Sequence, residues 1–175
     1  MNFNIILNIL SMRATILARF LHFYKIRGFE QGGEASMRYF VFASHGTFAD
    51  GILNSLELIT GKHDNVWTIN AYINEKEDIK DQISAVVNRI AAEDELVVVT
   101  DIFGGSVNNE FMNLLNNKNI HLVAGLNLPL VIELVTMSVI EKDTKALIKK
   151  ALENAKSSIQ YCNLELEKLN EDDEF

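Results

Sequence analysis

Short apolar runs alternate with helical patterns along most of this chain, and one of them, Leu96-Val97-Val98-Val99, is apolar at every position. A strand with one face in water alternates apolar and polar side chains, so a continuous apolar run indicates a strand that is covered on both faces. The chain is therefore predicted to have an α/β fold, with a doubly wound, mostly parallel central β-sheet flanked by helices in a single domain.

Four strands and five helices are expected from this pattern. The strands are predicted at residues 38–43, 66–72, 95–100 and 120–124. The helices are predicted at residues 47–60, 78–92 and 106–115, from a turn at 125–129 to about residue 137, and at 144–169, where Thr144 is the expected N-cap.

Composition limits the functions that are open to the chain. With 175 residues, 48% of them hydrophobic, it can form one domain with a substantial core. A net charge of −8 argues against a nucleic-acid partner, because phosphate contacts need clustered Lys and Arg. The single cysteine, Cys162, excludes an intramolecular disulfide and fits a reducing compartment. No pair of histidines has metal-ligand spacing, so a zinc site is not expected. No cofactor is predicted for the chain.

Residues 1–36 differ from the rest, with four basic and two acidic residues, a net charge of +2 against −10 for the remainder. Apolar residues recur there at helical spacing, so one interpretation is an amphipathic helix on a membrane surface. A signal peptide fits less well because no basic region comes first, and Arg13 and Arg19 interrupt any bilayer-spanning segment. The favoured interpretation is a misassigned start, with Met37 as the true first residue and Gly32-Gly33-Glu34 translated from a ribosome-binding sequence.

A histidine and a carboxylate each stand at the end of a predicted strand. His45 follows the first strand and precedes Gly46, and Asp101 follows the third strand. Ligands bind at the carboxyl ends of strands in doubly wound sheets, so these side chains are expected to meet if their strands are neighbours. A carboxylate that accepts a hydrogen bond from one imidazole nitrogen leaves the other nitrogen available as a base or nucleophile. The alternative is structural, with His45 capping a helix and Asp101 forming a turn.

Gly104-Gly105-Ser106 precedes the third predicted helix and meets the requirements of an anion site. Glycines allow close approach of the backbone, and a helix N-terminus offers N–H groups and the positive end of the helix dipole. No Lys follows these glycines and their spacing is not that of a dinucleotide fingerprint, so a bound nucleotide is not expected. The alternative is a plain tight turn.

The remaining candidates are assigned structural roles. No chemistry-bearing neighbours flank the other histidines, which are His22, His63 and His121. Aromatic side chains beside strands usually belong to the core, with a docking face as the alternative, and this expectation applies to Phe48, Trp67 and Phe103.

Three segments together resemble the IIA component of the mannose-type (mannose/fructose/sorbose) sugar phosphotransferase system. They are Ser44-His45-Gly46, the run TDIFGGSVNN that begins at Thr100, and the run VAGLNLP that begins at Val123. Many members of that family have Pro where this chain has Val107, and Thr where it has Ser44.

The resemblance covers residues 37–152, and residues 1–36 have no counterpart in the family. Residues 1–36 are accordingly treated as an extension outside the family, and residues 153–175 as a C-terminal helix extension with an acidic tail.

The resemblance implies a cytoplasmic, usually homodimeric phosphotransferase that works in sugar transport. His45 would accept a phosphoryl group from the phosphohistidine of HPr and pass it to a histidine of the IIB component, which serves the membrane components IIC and IID. Asp101 would orient the His45 ring and stabilise its charge. The residues expected to contact the phosphoryl group are Ser44, Thr47, Gly104, Gly105 and Ser106.

Three alternatives remain open. Related IIA domains feed dihydroxyacetone kinases or regulatory systems and keep the phosphohistidine. A pure binding module with an inactive histidine is disfavoured because His45, Asp101 and the glycine turn are all present. A hydrolase is disfavoured because no serine stands in a G-x-S-x-G turn.

Overall fold

The computed structural model describes residues 36–74 and 77–166. The chain divides into two units, Met1–Ala35 and Ser36–Phe175, and the described residues all belong to the second. The predictions for residues 1–35 and for the acidic tail therefore lie outside the described residues. Within the described part, no helix combines the length and the apolar character that crossing a bilayer requires.

Four strands alternate with five helices in the described residues, and a short helical segment follows at residues 162–166. The strands are β1 (Arg38–His45), β2 (Val66–Ala71), β3 (Glu95–Thr100) and β4 (Ile120–Ala124). The helices are α1 (Phe48–Thr60), α2 (Ile79–Val87), α3 (Ser106–Met112), α4 (Leu128–Met137) and α5 (Thr144–Ser157).

All four strands are parallel and lie in the order β2-β1-β3-β4. The chain moves from β1 to β2 on one side and then returns to place β3 on the other side of β1, so the order reverses between β1 and β3. Neighbouring residues at this edge are in register, with His45 beside Ala71 and Ala43 beside Thr100. The predicted doubly wound α/β fold is confirmed, and its switch point lies beside His45.

Helices cover both faces of the sheet, which explains the continuous apolar runs. Phe40 and Phe42 of β1 point to one face and pack in a core with helices α1, α4 and α5. Val41 and Ala43 point to the other face and pack with α2 and α3. All four side chains are fully buried, and full burial of a side chain the size of Val or Phe contributes about 1.5–3 kcal/mol.

The first two strands end at different residues from those predicted. β1 runs two residues beyond Ala43 because Ser44 and His45 continue the pairing with β2. β2 ends at Ala71, because the backbone of Tyr72 has a φ of +63°, which leaves the extended region.

Several helix boundaries also differ from the prediction. α1 begins at Phe48 rather than Thr47, and α2 begins at Ile79 rather than Asp78. α2 and α3 end earlier than predicted, at Val87 and Met112. The last helix ends at Ser157 rather than continuing to residue 169. Beyond Ser157 the apolar side chains lose their core partners, and the next two large ones, Ile159 and Tyr161, are 78% and 64% exposed.

Asp143, not Thr144, is the N-cap of α5. Its carboxylate accepts the backbone N–H groups of Lys145 and Ala146 at 2.8 and 3.2 Å. Thr144 is the first residue of the helix, is buried, and donates its hydroxyl to the carboxylate of Glu95. The N-cap prediction was therefore wrong by one residue. The Thr144 hydroxyl bonds to Glu95, which is distant in sequence, and not to an N–H group of α5.

Replacement of Asp143 by Ala should lower the free energy of unfolding by about 0.5–2 kcal/mol, because two N–H groups of α5 lose their acceptor. Urea denaturation measures this loss. Glu153→Ala, an exposed carboxylate within the same helix, is the matched control and should change stability by less than about 0.5 kcal/mol. Equal effects of the two substitutions would contradict the assigned cap.

Candidate functional site

His45 and Asp101 meet at the switch point of the sheet. The backbone N–H of Asp101 donates to the carbonyl of Ala43 at 3.1 Å, which extends the contact between β1 and β3 beyond the end of β3. Oδ2 of Asp101 lies 2.7 Å from Nδ1 of the His45 ring and also accepts the backbone N–H of His45 at 2.9 Å. The structure thus brings together the two side chains that the sequence predicts as partners.

Hydrogen bonds favour the ionised form of Asp101. Partial burial raises the pKa of this carboxyl group, but the hydrogen bonds from the backbone N–H and ring of His45 and from the backbone N–H of Ile102 outweigh it, so the pKa lies below its ordinary value of 3.8. The Ile102 bond goes to Oδ1 at 2.9 Å. An ionised carboxylate only accepts hydrogen bonds, so Nδ1 of His45 carries a proton and donates it.

The second ring nitrogen of His45 faces the start of α3. Its Nε2 lies 3.1 Å from the hydroxyl oxygen of Ser106, and 44% of the His45 side chain is exposed. In the neutral ring with its proton on Nδ1, Nε2 holds a lone pair, so the hydroxyl of Ser106 is the donor. A lone pair at an exposed nitrogen, with a carboxylate on the opposite nitrogen, is typical of an oriented nucleophile or base.

Two glycines shape the turn that joins β3 to α3. Gly104 has a φ of +74°, which L side chains rarely adopt. Gly105 has an ordinary φ, but an added Cβ would lie 2.7 Å from Cγ2 of Ile102 and 3.4 Å from Cε1 of His45, so the Ile102 side chain would have to shift. The turn therefore passes close to the edge of the His45 ring, while the contact of its backbone with an anion stays a prediction.

A buried asparagine that the sequence analysis did not single out fixes this turn. The side-chain oxygen of Asn108 accepts the backbone N–H of Gly104 at 3.1 Å, and its amide donates to the hydroxyl of Thr100 at 3.0 Å. Asn108 is 2% exposed. The available signal was its place in a short helix between the apolar residues Val107 and Phe111, where a polar side chain needs a buried partner.

The two hydroxyl residues beside His45 have different surroundings. Ser44 is fully buried, and its oxygen accepts the backbone N–H of Ala49 at 2.8 Å in the first turn of α1. Thr47 is the exposed N-cap residue of α1 and makes no side-chain capping bond. The geometry assigns the Ser44 hydroxyl to the start of α1 and does not bring it to the exposed side of the site, while the phosphate contact of Thr47 stays a prediction.

The turn at residues 125–129 supports the site indirectly. The N–H groups of Gly125 and Leu126 both donate to the carbonyl of Thr100 at 2.9 Å. Asn127 then caps α4 by accepting the N–H of Leu130 at 3.0 Å. The turn thus holds the residue before Asp101.

Two further histidines have structural surroundings, and His22 lies outside the described residues. Nε2 of His63 is 2.7 Å from the hydroxyl of Thr60 at the end of α1. His121 is near the start of β4, 3.4 Å from a carboxylate oxygen of Glu95. It lines a groove of about 420 Å³ between β4 and α5. Within the described residues, no three His, Cys, Asp or Glu side chains group as metal ligands.

The expectation that the three aromatic residues belong to the core was wrong for two of them. Phe48 is 47% exposed and Phe103 is 78% exposed. They lie on the two segments that carry His45 and Asp101. Trp67 is partly buried against the core on the sheet face that α2 and α3 cover. Its ring stacks on that of Tyr39, with centroids 4.9 Å apart.

A model of one protein family, EIIA-man, described as PTS system fructose IIA component, matches residues 39–152 of this chain. The chain belongs to this family. The matched segment contains His45, Asp101 and the whole β3–α3 turn. Membership gives the chain a phosphocarrier role in a phosphotransferase system (PTS), and the site described above lies entirely within the family's part of the sequence.

Solved structures agree with this family. A protein from Klebsiella pneumoniae, provisionally described as a phosphoenolpyruvate-dependent sugar PTS permease, is 50% identical, with a TM-score of 0.73 over 78% of this chain and 99% of that one. PTS component EIIA from Streptococcus agalactiae is 28% identical, with a TM-score of 0.63 over 73% of this chain and 99% of that one. A mannose/sorbose-specific IIA subunit from Enterococcus faecalis is 21% identical and shares the fold, with a TM-score of 0.60 over 71% and 93%.

Replacement of Asn108 by Ala should lower the free energy of unfolding by about 1–3 kcal/mol, because the fully buried hydroxyl of Thr100 loses its hydrogen-bond donor and the N–H of Gly104 loses its acceptor. Asn109→Ala is the matched control, since the amide of Asn109 donates to the carbonyl of the same glycine at 3.1 Å but is exposed. The control should cost less than about 1 kcal/mol. Urea denaturation of both variants tests this difference, and a larger loss for Asn109 would overturn the assignment.

The lowered pKa of Asp101 predicts a dependence of stability on pH. A carboxyl group with a depressed pKa in the folded state stabilises the protein above its ordinary pKa of 3.8 and loses that contribution as the pH falls through the folded-state pKa. The stability difference between the wild type and Asp101→Asn should therefore be largest near pH 6 and shrink below about pH 4. Chemical denaturation at both pH values measures it, and a difference that grows in acid would contradict the prediction.

Proposed function

We propose that His45 is the phosphorylated residue of a mannose-type PTS IIA component, which receives a phosphoryl group from phospho-HPr and transfers it to a histidine of the IIB component. The 2.7 Å contact between Nδ1 of His45 and Oδ2 of Asp101 carries this proposal. It fixes the tautomer, so the lone pair is on Nε2, the nitrogen on the side of Ser106.

The transfer step follows from that tautomer. Nε2 attacks phosphorus in line, and the P–N bond of the donor phosphohistidine breaks with its electron pair returning to the donor nitrogen. Nδ1 keeps its proton, so the phosphorylated ring of His45 carries a positive charge beside the Asp101 carboxylate. Transfer to IIB repeats the same exchange in the opposite sense. One P–N bond replaces another of the same kind, so the reaction is close to reversible.

Groups around Nε2 are suited to the charge of the moving phosphoryl group. The transition state spreads negative charge over three equatorial oxygens. Ser106, whose hydroxyl donates to Nε2 at 3.1 Å, can turn this donor to a phosphoryl oxygen once Nε2 is bonded to phosphorus. α3 begins at Ser106, so its first N–H groups have no acceptor within the helix. We include Gly104, Gly105 and Thr47 among the residues near the phosphoryl group.

Exposed apolar side chains on the segments next to the site fit protein partners rather than a small substrate. Phe48 follows His45 by three residues, and Ile102 and Phe103 follow Asp101 directly. Their exposed fractions are 47%, 58% and 78%. Apolar side chains grouped beside a reactive residue are typical of a surface that another protein covers. HPr and IIB would each bind over these exposed apolar side chains in turn.

The broader role in sugar uptake rests on the family and on the names of similar proteins. The 50% identical protein from Klebsiella pneumoniae is provisionally described as a sugar PTS permease. We propose a corresponding cytoplasmic role here, with a functional link to membrane components IIC and IID. The homodimer implied by the family resemblance stays a prediction.

Labelling with phospho-HPr tests the phosphorylated residue. His45→Ala should abolish labelling, because Nε2 is the proposed nucleophile. His121→Ala is the matched control and should be labelled as the wild type, since its ring lies near the start of β4 beside Glu95. Normal labelling of the His45 variant would refute the proposal. The wild-type label should be acid-labile and should chase into a candidate IIB protein.

Loss of either ring partner should slow transfer without abolishing the fold. Asp101→Asn and Ser106→Ala should each reduce the rate of labelling by roughly tenfold to a hundredfold, the value expected for a hydrogen bond to a charged group. Stopped-flow or quenched labelling with phospho-HPr measures the rates, and circular dichroism checks the fold. Wild-type rates in a folded variant would remove that residue from the mechanism.

A further inference from the structure

Tyr72 has an unusual combination of backbone strain, exposure and position. Among the described residues it is the one non-glycine residue with a positive φ, +63°. Tyr72 is 59% exposed, so burial of its ring in the core does not account for an aromatic residue at this position. The ring lies against the ring of His45, with centroids 5.5 Å apart and planes inclined by 28°.

The strained backbone has a defined cause in the sheet. Ala71, the last residue of β2, is in register with His45, and its carbonyl accepts the N–H of Gly46 at 2.9 Å. The chain turns immediately after this contact, and the turn puts Tyr72 in the left-handed region. That conformation costs about 1–2 kcal/mol for an L residue, and Gly would adopt it without cost. Strain of this kind is typical of functional sites, where the surrounding structure maintains it.

Tyr72 supplies a kind of contact that the other neighbours of His45 do not. Asp101 holds Nδ1 at 2.7 Å, Ser106 donates to Nε2 at 3.1 Å, and Gly105 lies beside Cε1. All three act at the edge of the imidazole. The tyrosine ring is stacked on its face.

We propose that Tyr72 is a positioning residue for phosphoryl transfer: its aromatic ring holds the plane of the His45 imidazole and stabilises the positive charge of the phosphorylated ring. This inference rests on the proposed phosphorylation of His45. The tyrosine hydroxyl has no part in it, so the chemical requirement is for an aromatic face.

There are two physical reasons why this role needs an aromatic face. The torsion that turns a histidine ring has a broad profile, so the ring plane needs external support. When Nε2 becomes bonded to phosphorus, the hydrogen bond from Ser106 to that nitrogen is lost, and Asp101 is left as the hydrogen-bond partner of the ring nitrogens. Stacked rings favour an offset arrangement with centroids 4.5–7 Å apart, which includes this pair. The electron-rich face of the tyrosine also attracts a cation within about 6 Å.

The experiment uses phosphoramidate, a small donor that phosphorylates histidine without HPr. The Nε2–P bond forms while the P–N bond of phosphoramidate breaks, and the leaving nitrogen departs with its electron pair and takes up a proton as ammonia. Phosphorylated His45 is then followed by NMR of the labelled ring, which gives both its lifetime and the shifts of its carbon-bound protons. The full chain is used, with variants Tyr72→Phe, Tyr72→Leu and Tyr72→Gly.

The expected results distinguish the effect of an aromatic ring face from the effect of side-chain size. Before phosphorylation, the ring-current shift of the His45 protons should persist in Tyr72→Phe and disappear in Tyr72→Leu. The lifetime of phosphorylated His45 should stay within about twofold of the wild type in Tyr72→Phe and shorten by roughly two- to fivefold in Tyr72→Leu, as expected for an exposed cation–π contact. Tyr161→Leu, which removes another exposed tyrosine, is the matched control and should change neither quantity.

Tyr72→Gly separates positioning from stability. Glycine relieves the strain at φ +63°, so this variant should unfold at an equal or higher urea concentration than Tyr72→Leu, yet its phosphorylated His45 should be as short-lived as in Tyr72→Leu. Lifetimes in the leucine and glycine variants equal to those of the wild type and Tyr72→Phe would overturn the proposal. A wild type that phosphoramidate labels at His45 but phospho-HPr does not would instead overturn the proposed donor and leave the Tyr72 result intact.

Discussion

The parallel pairing of β1 with β3 is the constraint on which the site depends. Ala43 lies beside Thr100, and the backbone N–H of Asp101 donates to the carbonyl of Ala43. This contact puts the carboxylate of Asp101 where it can accept both the backbone N–H and the ring N–H of His45. A change in register of one residue would turn the side chains of β1 to the opposite faces of the sheet, so the core and the site depend on the same pairing.

The site has a buried lower layer and an exposed upper one. Below, Asn108 joins the hydroxyl of Thr100 to the N–H of Gly104, and both Asn108 and Thr100 are buried. Above, Tyr72 covers one face of His45 and is more than half exposed. The lower layer sets the position of the glycine turn, while the upper layer leaves Nε2 within reach of another protein. A phosphocarrier needs both properties, since its nucleophile must be oriented and yet meet two partners in succession.

The fold and the central pair were within reach of sequence reasoning because their signals are local. A run such as Leu96–Val99 reports burial on both faces, and the alternation of such runs with helices reports parallel topology. His45 and Asp101 could be paired because each follows a strand directly. The roles of Thr144 and Asn108 could not be read in the same way. Their hydrogen-bond partners, Glu95 and Thr100, come from β3, and a propensity at one position does not report a distant partner.

The sequence by itself determined the class of fold, the edge of the sheet at which the candidate site lies, and the pairing of His45 with Asp101. Only the tertiary structure decided which hydroxyls face the His45 ring. It directs the Ser44 hydroxyl to the start of α1 and brings Ser106 to Nε2 of His45. It also decided that Phe48 and Phe103 are exposed and that Tyr72 stacks on His45. The reason is that burial and contacts at the strand ends depend on which loops lie next to each other in the fold. The sequence of one loop does not specify which other loops those are.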